Sequence, residues 1–212
     1  MYFYNQILLV ISIILCILYI TLLLTNIRKL YKLYKRIKIQ VYREKSKKLL
    51  QIFDKIMRKN NVPYIIFFGT LLGSIRENNF IDTDHDMDVI IFDKDLPKYL
   101  SLESQFNKEG LKYDYLDHIH RLFFKDDNIT KNSTYMDVFV YKLDKNIFID
   151  KYEYNRHRWP SCKYPKEDIL PVKEYTIAGL NVLGPNNGIK ILEITYGDWK
   201  TPRNSNYYVK KL

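Results

Sequence analysis

The first feature of the chain is an uncharged apolar run over residues 7–25, built mainly from Ile, Leu and Val. As a helix with a rise of about 1.5 Å per residue, the run spans roughly 28 Å, close to the hydrocarbon thickness of a bilayer. It lacks the basic start and small-residue cleavage site of a signal peptide, and it lacks the polar stripe of a soluble core helix. The run therefore predicts a retained transmembrane anchor within residues 1–27.

Apolar residues continue at helical spacing beyond the anchor in two series. The first series is Leu30, Tyr34, Ile37 and Val41, and the second is Leu49, Leu50, Phe53, Ile56 and Met57. The first predicts a juxtamembrane helix or linker over residues 28–48. The second predicts a helix that docks on a folded domain over residues 49–212, and Asn60 and Asn61 end it.

Short apolar runs of the β type alternate with helix-compatible segments after residue 61. Strands are predicted at residues 62–68, 87–92, 120–124 and 135–141, and helices at residues 70–76 and 96–106. Gly69 separates the first strand from the first helix. No periodic pattern predicts elements beyond residue 152.

The net charge of +10 is concentrated at one end of the chain. Residues 1–59 hold 13 of the 34 basic residues and 2 of the 24 acidic ones, so the remainder carries a net charge of −1. This distribution argues against a nucleic-acid groove in the domain. Two interpretations of the basic segment remain open, a contact with anionic lipid headgroups and a solvated linker helix.

The acidic stretch from Asp84 to Asp88 carries the chemistry of the domain. In an extended strand Asp86 and Asp88 project from one face, while Met87 enters the core. Two carboxylates at such a short distance repel each other, and a divalent cation offsets the repulsion. Asp137, inside an apolar strand-like run, is the expected third carboxylate because an acidic group there needs a partner. Hard oxygen ligands favour Mg²⁺ or Mn²⁺.

Glycines before this stretch predict a phosphate site. Gly69 follows a strand and Thr70 opens a helix, where backbone N–H groups and a hydroxyl can approach a phosphate. Gly73 and Ser74 provide either a second phosphate contact or close helix packing. Arg76 is interpreted either as a contact to an anionic donor or as a member of a surface ion pair.

These residues resemble the signature of the LicD/fukutin family of the nucleotidyltransferase superfamily. The resemblance rests on Gly69 to Gly73 with Arg76, on Phe80-Ile81 before Asp84, Asp86 and Asp88, and on downstream blocks in the same order. Those blocks are Asp137-Val138-Phe139, Leu170-Pro171-Val172-Lys173, Gly184-Pro185 and Tyr196-Gly197-Asp198-Trp199 with Pro202. The match covers residues 49–202. One departure is Asp82-Thr83, where the family places Pro-Trp.

The resemblance implies an α/β (α+β) fold in which a nucleotidyltransferase-like mixed sheet is flanked by helices and preceded by the transmembrane helix. It implies that Asp86, Asp88 and Asp137 are catalytic metal ligands and that Asp84 is either an accessory ligand or a group beside the ligands. Lys173 is a further candidate for a phosphate contact.

The activity implied by the resemblance is transfer of a phospho-alcohol, such as phosphocholine or ribitol phosphate, from a CDP-activated or other nucleotide-activated donor to a glycan or sugar acceptor. Two alternatives remain open. One is a nucleotidyltransferase that modifies a small molecule, a protein or RNA, and the other is a non-catalytic membrane protein with a degenerate transferase fold.

Sequence signals for the orientation of the domain disagree. The basic segment after the span predicts a cytosolic domain by the positive-inside rule. Asn128 and Asn132 both begin glycosylation sequons, as expected for a domain in the secretory-pathway lumen. The sequence thus predicts a single-pass membrane protein without deciding its orientation.

Overall fold

The computed structural model describes residues 2–127 and 133–201. The chain divides into two compact units, Met1–Val41 and Tyr42–Leu212. Helix α1 (Tyr2–Lys59) supplies the described part of the first unit and the start of the second. The apolar window of α1 is long and apolar enough to cross a membrane by length and composition, and none of it is buried. The boundaries predicted at residues 27 and 48 stay predictions.

Seven strands of the second unit form one sheet in the order β1-β2-β5-β4-β3, with β6 beside β5 and β7 beside β6. Their bounds are β1 (Tyr64–Ile66), β2 (Asp86–Phe92), β3 (Leu111–Leu116), β4 (Ile119–Phe124), β5 (Tyr135–Asp144), β6 (Ile147–Asp150) and β7 (Lys163–Pro165). Strands β2 and β5 run parallel, and the other pairs of this sheet are antiparallel. The sheet is thus mixed, as predicted.

Helices lie between these strands, and a separate hairpin follows them. The helices are α2 (Phe68–Glu77), α3 (Leu96–Leu100), α4 (Glu103–Lys108), α5 (Glu153–Arg158), α6 (Lys166–Ile169) and α7 (Gly188–Tyr196), and the hairpin joins β8 (Lys173–Ile177) to β9 (Leu180–Gly184). The helix predicted over residues 96–106 is two helices, and the strands β3 and β6 to β9 were not predicted.

The end of α1 packs on the sheet as the second apolar series predicts. Leu49, Leu50, Phe53 and Met57 are fully buried, and the Phe53 ring lies 5.0 Å from the ring of Tyr64 on β1. Burying such side chains contributes roughly 2 kcal/mol each. The domain therefore begins well inside α1, and its mixed α/β architecture with an apolar N-terminal helix confirms the predicted fold class.

Candidate active site

Strand β2 begins with alternating carboxylates. Met87 and Val89 are fully buried in the core, so Asp86 and Asp88 project together from the opposite face of the strand. The alternation of strand residues therefore produces the paired carboxylates that the sequence predicts.

The third carboxylate, that of Asp137, comes from β5, the strand that runs parallel to β2. In the register of β2 and β5, Asp88 lies directly opposite Asp137, and Asp86 lies opposite Tyr135. One carboxylate oxygen from each of Asp86, Asp88 and Asp137 lies within 4.8 Å of the other two. The three acidic groups that sequence reasoning assigned to one site are thus adjacent.

Burial and mutual repulsion oppose ionisation of this cluster. Burial raises the pKa of Asp88 well above its usual range, and the nearby charges of Asp86, Asp84 and Asp137 raise it further. Burial, with a hydrogen bond and charge repulsion from Asp86, raises the pKa of Asp84 to about 8. Burial raises the pKa of Asp137 to about 6, although Arg121 opposes the shift. The cluster is costly to ionise without a cation.

Asp84 lies beside the three-carboxylate group without belonging to it. A Cβ at Gly69 would meet Asp84 Oδ2 at 2.2 Å and Asp88 Oδ2 at 3.3 Å, which places both carboxylates over this glycine. The absence of a side chain at Gly69 therefore makes room for the acidic cluster. The role of Asp84 as an accessory ligand stays a prediction.

Arg121 on β4 was missed by sequence reasoning. Its Nε donates a hydrogen bond of 2.9 Å to Asp137 Oδ1, and its guanidinium lies 5.4 Å from the centre of the Tyr135 ring. The Tyr135 hydroxyl donates to Asp86 Oδ2 at 3.3 Å. Burial lowers the pKa of Arg121, but attraction and hydrogen bonding from Asp137 outweigh it and the net shift is upward. The sequence did offer one indication of this role, because an arginine inside an apolar strand needs an acidic partner.

Gly69 and Thr70 hold Asp88 in place. The backbone N–H of Gly69 donates to Asp88 Oδ2 at 3.0 Å, and the Thr70 hydroxyl accepts a bond of 2.8 Å from the Asp88 N–H. Phe68, where α2 begins, has a φ of 39°, a left-handed value that is unusual for a bulky residue. At this sharp turn the N–H of Gly69, the second residue of α2, meets the Asp88 carboxylate.

The other predicted phosphate contacts of α2 pack within the protein. A Cβ at Gly73 would meet Asn79 O at 2.5 Å, so the glycine permits close packing of the turn after α2. The Ser74 hydroxyl donates to Thr176 O at 2.9 Å. Arg76 pairs with Glu77 at 2.7 Å and donates to Trp199 O at 3.4 Å. These contacts fit the packing interpretation of Gly73 and Ser74 and the ion-pair interpretation of Arg76, and a phosphate contact of each stays a prediction.

Lys173 is exposed at the start of β8, and its phosphate role stays a prediction. Asn128 and Asn132 lie outside the described residues. Tyr196, on α7, was named from the sequence within a family block but was assigned no place beside the acidic cluster. Its pKa is raised by burial and by the charges of Asp88, Asp84 and Asp86.

Residues of α1 hold the loop that leads into β2. The ring of Tyr42 contacts His85 edge-on at 5.7 Å, and its hydroxyl donates to the backbone oxygen of Asp86 at 3.4 Å. Arg43 forms an ion pair of 2.6 Å with Asp82. The segment predicted to be a linker therefore contributes two residues to the surroundings of the cluster.

Comparisons with known proteins show which sequences and structures this chain is similar to. A family model described as LicD/FKTN/FKRP, nucleotidyltransferase domain, matches residues 61–187, within the range of 49–202 that the motifs predict. The chain is 29% identical over 167 residues to an uncharacterised protein of Rickettsia prowazekii, covering 76% of this chain and 59% of that protein. It is 27% identical over 173 residues to the human ribitol-5-phosphate transferase FKTN, covering 76% of this chain and 34% of that protein.

The chain thus spans well under two thirds of the length of these relatives. Among solved structures it is similar to ANT(2″)-Ia in complex with adenylyl-2″-tobramycin, with a TM-score of 0.43, 15% identity, and coverage of 65% of this chain and 68% of that chain.

Proposed function

Because the chain belongs to the LicD/FKTN/FKRP family of nucleotidyltransferase domains, we propose that it is an active, metal-dependent transferase that moves a phospho-alcohol from a nucleotide-activated donor to a sugar or glycan acceptor. The observation that carries the proposal is the convergence of Asp86, Asp88 and Asp137 within 4.8 Å. A degenerate fold without catalysis has no need for three partly buried carboxylates that repel each other.

The donor set fits Mg²⁺ or Mn²⁺. All three groups are carboxylates, the hard oxygen ligands that these cations prefer, and His85 contacts Tyr42 rather than joining the group. When bound, such a cation would neutralise part of the negative charge on the diphosphate of the donor. Asp86, Asp88 and Asp137 would hold it, with Asp84 beside them as an accessory group.

Asp137 is the proposed general base for the acceptor hydroxyl. Without a cation, burial raises its pKa to about 6, so that it is ionised and able to accept a proton in most molecules near neutral pH. The hydrogen bond from Arg121 Nε fixes Oδ1 of the Asp137 carboxylate at 2.9 Å. Arg121 is therefore a positioning residue in this proposal.

The choice of donor rests on family likeness. The relative named ribitol-5-phosphate transferase supports a phospho-alcohol as the transferred group, and the resemblance stated from the motifs supports a CDP-activated donor. An acceptor oxygen would attack the phosphorus that carries the alcohol, and the bond to the nucleotide would break. The expected products are a phosphodiester on the acceptor and the nucleoside monophosphate.

Membrane attachment completes the proposal. Helix α1 provides one segment with the length and composition of a span, and its side chains from residue 11 to residue 38 are exposed. An anchored enzyme would act on acceptors at a membrane surface. The orientation of the domain stays open, as in the sequence.

A donor screen tests the proposed reaction. The purified full-length protein is incubated with Mn²⁺, a mixture of glycan acceptors and, separately, CDP-, UDP- and GDP-linked alcohols or nucleoside triphosphates. Release of a nucleoside monophosphate supports phospho-alcohol transfer. Release of pyrophosphate from a triphosphate supports a nucleotidyltransferase instead. The Asp88→Asn variant is the inactive control, and Asp93→Asn, which lies past the end of β2, is the matched active control.

A further inference from the structure

Arg158, the last residue of α5, is a cation beside the acidic cluster that the proposed reaction does not use. Burial raises the pKa of Asp137 to about 6, and the positive charges of Arg121 and Arg158 both oppose the rise. Arg121 is also hydrogen-bonded to Asp137. Arg158 is exposed, and within residues 2–127 and 133–201 no acidic group lies at ion-pair distance from it. The Arg158 guanidinium is therefore available to an anion that enters the site.

The other two basic residues in the last turn of α5 already have polar partners. Arg156 Nη1 donates to the backbone oxygens of residues 150 and 151 at 2.9 and 2.8 Å, which ties the helix to the end of β6. His157 Nε2 lies 3.5 Å from Glu153, one turn earlier on the exposed side of the helix. Arg158 differs from both because an aromatic ring is its neighbour.

That ring, the indole of Trp159, holds the guanidinium near the carboxylates. The Arg158 guanidinium lies 4.7 Å from the centre of the Trp159 ring, within the range of a cation–π contact. The indole in turn contacts the Phe139 ring edge-on at 5.8 Å. Phe139 lies two residues after Asp137 on β5, so their side chains project from the same face of the sheet. Trp159 thus packs on the face that carries the acidic cluster.

The same ring also packs beside the turn that holds Asp88. The centre of the Phe68 ring lies 6.3 Å from that of Trp159. The next residue, Gly69, donates its backbone N–H to Asp88 Oδ2 at 3.0 Å. Trp159 therefore contacts neighbours of the carboxylates from both β2 and β5, and it fixes the base of Arg158 against both strands.

The charge balance of the proposed metal site leaves a role for a further cation. Three ionised carboxylates are balanced by one divalent cation together with Arg121. The diphosphate of a donor then brings negative charge that these groups do not neutralise. A guanidinium stacked on a ring uses its face for that contact, so its N–H donors, which lie in the plane, stay free to bind phosphate oxygens in pairs.

We propose that Arg158 binds the phosphate groups of the nucleotide-activated donor beside the metal site, and that Trp159 is the positioning residue that holds its guanidinium there. The inference rests on the proposed function and adds to it a residue that contacts the donor. In-plane N–H groups of Arg158 would donate to the phosphate oxygens while the cation neutralises charge from the side of the carboxylates.

Calorimetric titrations of the full-length protein in detergent micelles test the proposal. Mn²⁺ is titrated alone, and inorganic pyrophosphate and CDP are then titrated separately at saturating Mn²⁺. Arg158→Gln removes the charge, and Arg158→Lys keeps the charge but not the paired donors. Lys145→Gln is the matched control, because it removes one exposed positive charge in the turn after β5, roughly 23 Å along the strand from Asp137.

Arg158→Gln should weaken the binding of pyrophosphate and of CDP roughly tenfold or more, as expected for loss of a charge-assisted hydrogen bond. Its affinity for Mn²⁺ alone should stay the same or rise, because a positive charge near the cation site is gone. Arg158→Lys should recover part of the loss, and Lys145→Gln should behave like the native protein. Trp159→Leu should weaken both ligands, and Trp159→Phe, which keeps a ring, should restore part of their affinity.

The titrations separate this inference from the proposed function. Unchanged binding of both ligands by Arg158→Gln would overturn the inference and leave the proposed reaction standing. A loss of Mn²⁺ affinity as large as the loss of ligand affinity would also overturn it, because Arg158 would then act through the carboxylates. A native protein that binds Mn²⁺ but neither ligand would contradict the inference and the proposed function together.

Discussion

Asp84→Asn should stabilise the metal-free protein. In the structure burial and the neighbouring Asp86 raise the pKa of Asp84 to about 8, against an ordinary value of 3.8. A protonated Asp84 donates to Asp86, and the amide of Asn can donate the same hydrogen bond without ionising. The substitution therefore imitates the protonated form at nearly constant volume.

The sign and size of the effect follow from linkage between protonation and folding. Between pH 3.8 and about 8 the folded state holds a proton that the unfolded state releases, so stability falls as the pH rises through this range. Each pH unit costs about 1.4 kcal/mol, and the full range costs up to roughly 6 kcal/mol. Because Asp84 shares the proton with Asp86, we expect about half of this in the measured free energy of unfolding.

Urea unfolding in EDTA measures the effect, with Trp159 and Trp199 as fluorescent reporters. The difference in unfolding free energy between Asp84→Asn and the native protein should be small near pH 4 and grow to about 2 kcal/mol or more near pH 8. Comparing the two proteins at each pH cancels the titration of groups that do not interact with Asp84, such as His120, whose pKa burial lowers to about 4. A variant that is less stable than the native protein at pH 8 would refute this reasoning.

Three further predictions concern other parts of the chain. Arg121→Gln removes the positive side chain that holds the pKa of Asp137 down, so protonation of Asp137 should compete with Mn²⁺ near pH 6. The affinity for Mn²⁺ should therefore fall near pH 6 and recover near pH 8, and a calorimetric titration that showed a pH-independent loss would contradict this. The full chain should resist carbonate extraction from membranes, and a chain without residues 1–27 should not; full-length protein in the soluble fraction would exclude the anchor. If the domain is lumenal, endoglycosidase should shift its mobility on a gel, and Asn128→Gln with Asn132→Gln should abolish the shift; an unglycosylated, protease-accessible domain in sealed vesicles would indicate a cytosolic one.

Local sequence patterns were sufficient to predict the part of the acidic site whose geometry depends on a single strand. The alternation of Asp86 and Asp88 around Met87 predicts their common direction, because side chains of a strand alternate between faces. Asp137 was predicted from the cost of an acidic group in an apolar run. Its register opposite Asp88 depends on the pairing of β2 with β5, which are separated by two other strands along the chain.

Non-local packing explains what the sequence did not predict. Arg121 acquires its role because β4 lies beside β5, and no local pattern reports that register. Tyr42 falls in a basic segment that reads as a linker, yet it is buried and contacts the loop before β2. The hydrogen bond from Gly69 to Asp88 and the packing of Gly73 against Asn79 also depend on the tertiary fold, so the sequence did not predict the first and left two interpretations of Gly73 open.

The central claim is that Asp86, Asp88 and Asp137 form one metal site that supports transfer. The most direct test measures Mn²⁺ binding and nucleoside monophosphate release at limiting Mn²⁺ for the single Asn variants of these residues, with Asp93→Asn as the control. Each of the three should lose metal affinity and turnover by orders of magnitude while the fold survives, and the control should keep both. Near-normal activity of Asp86→Asn or Asp88→Asn at limiting Mn²⁺ would contradict the assigned site and the mechanism built on it.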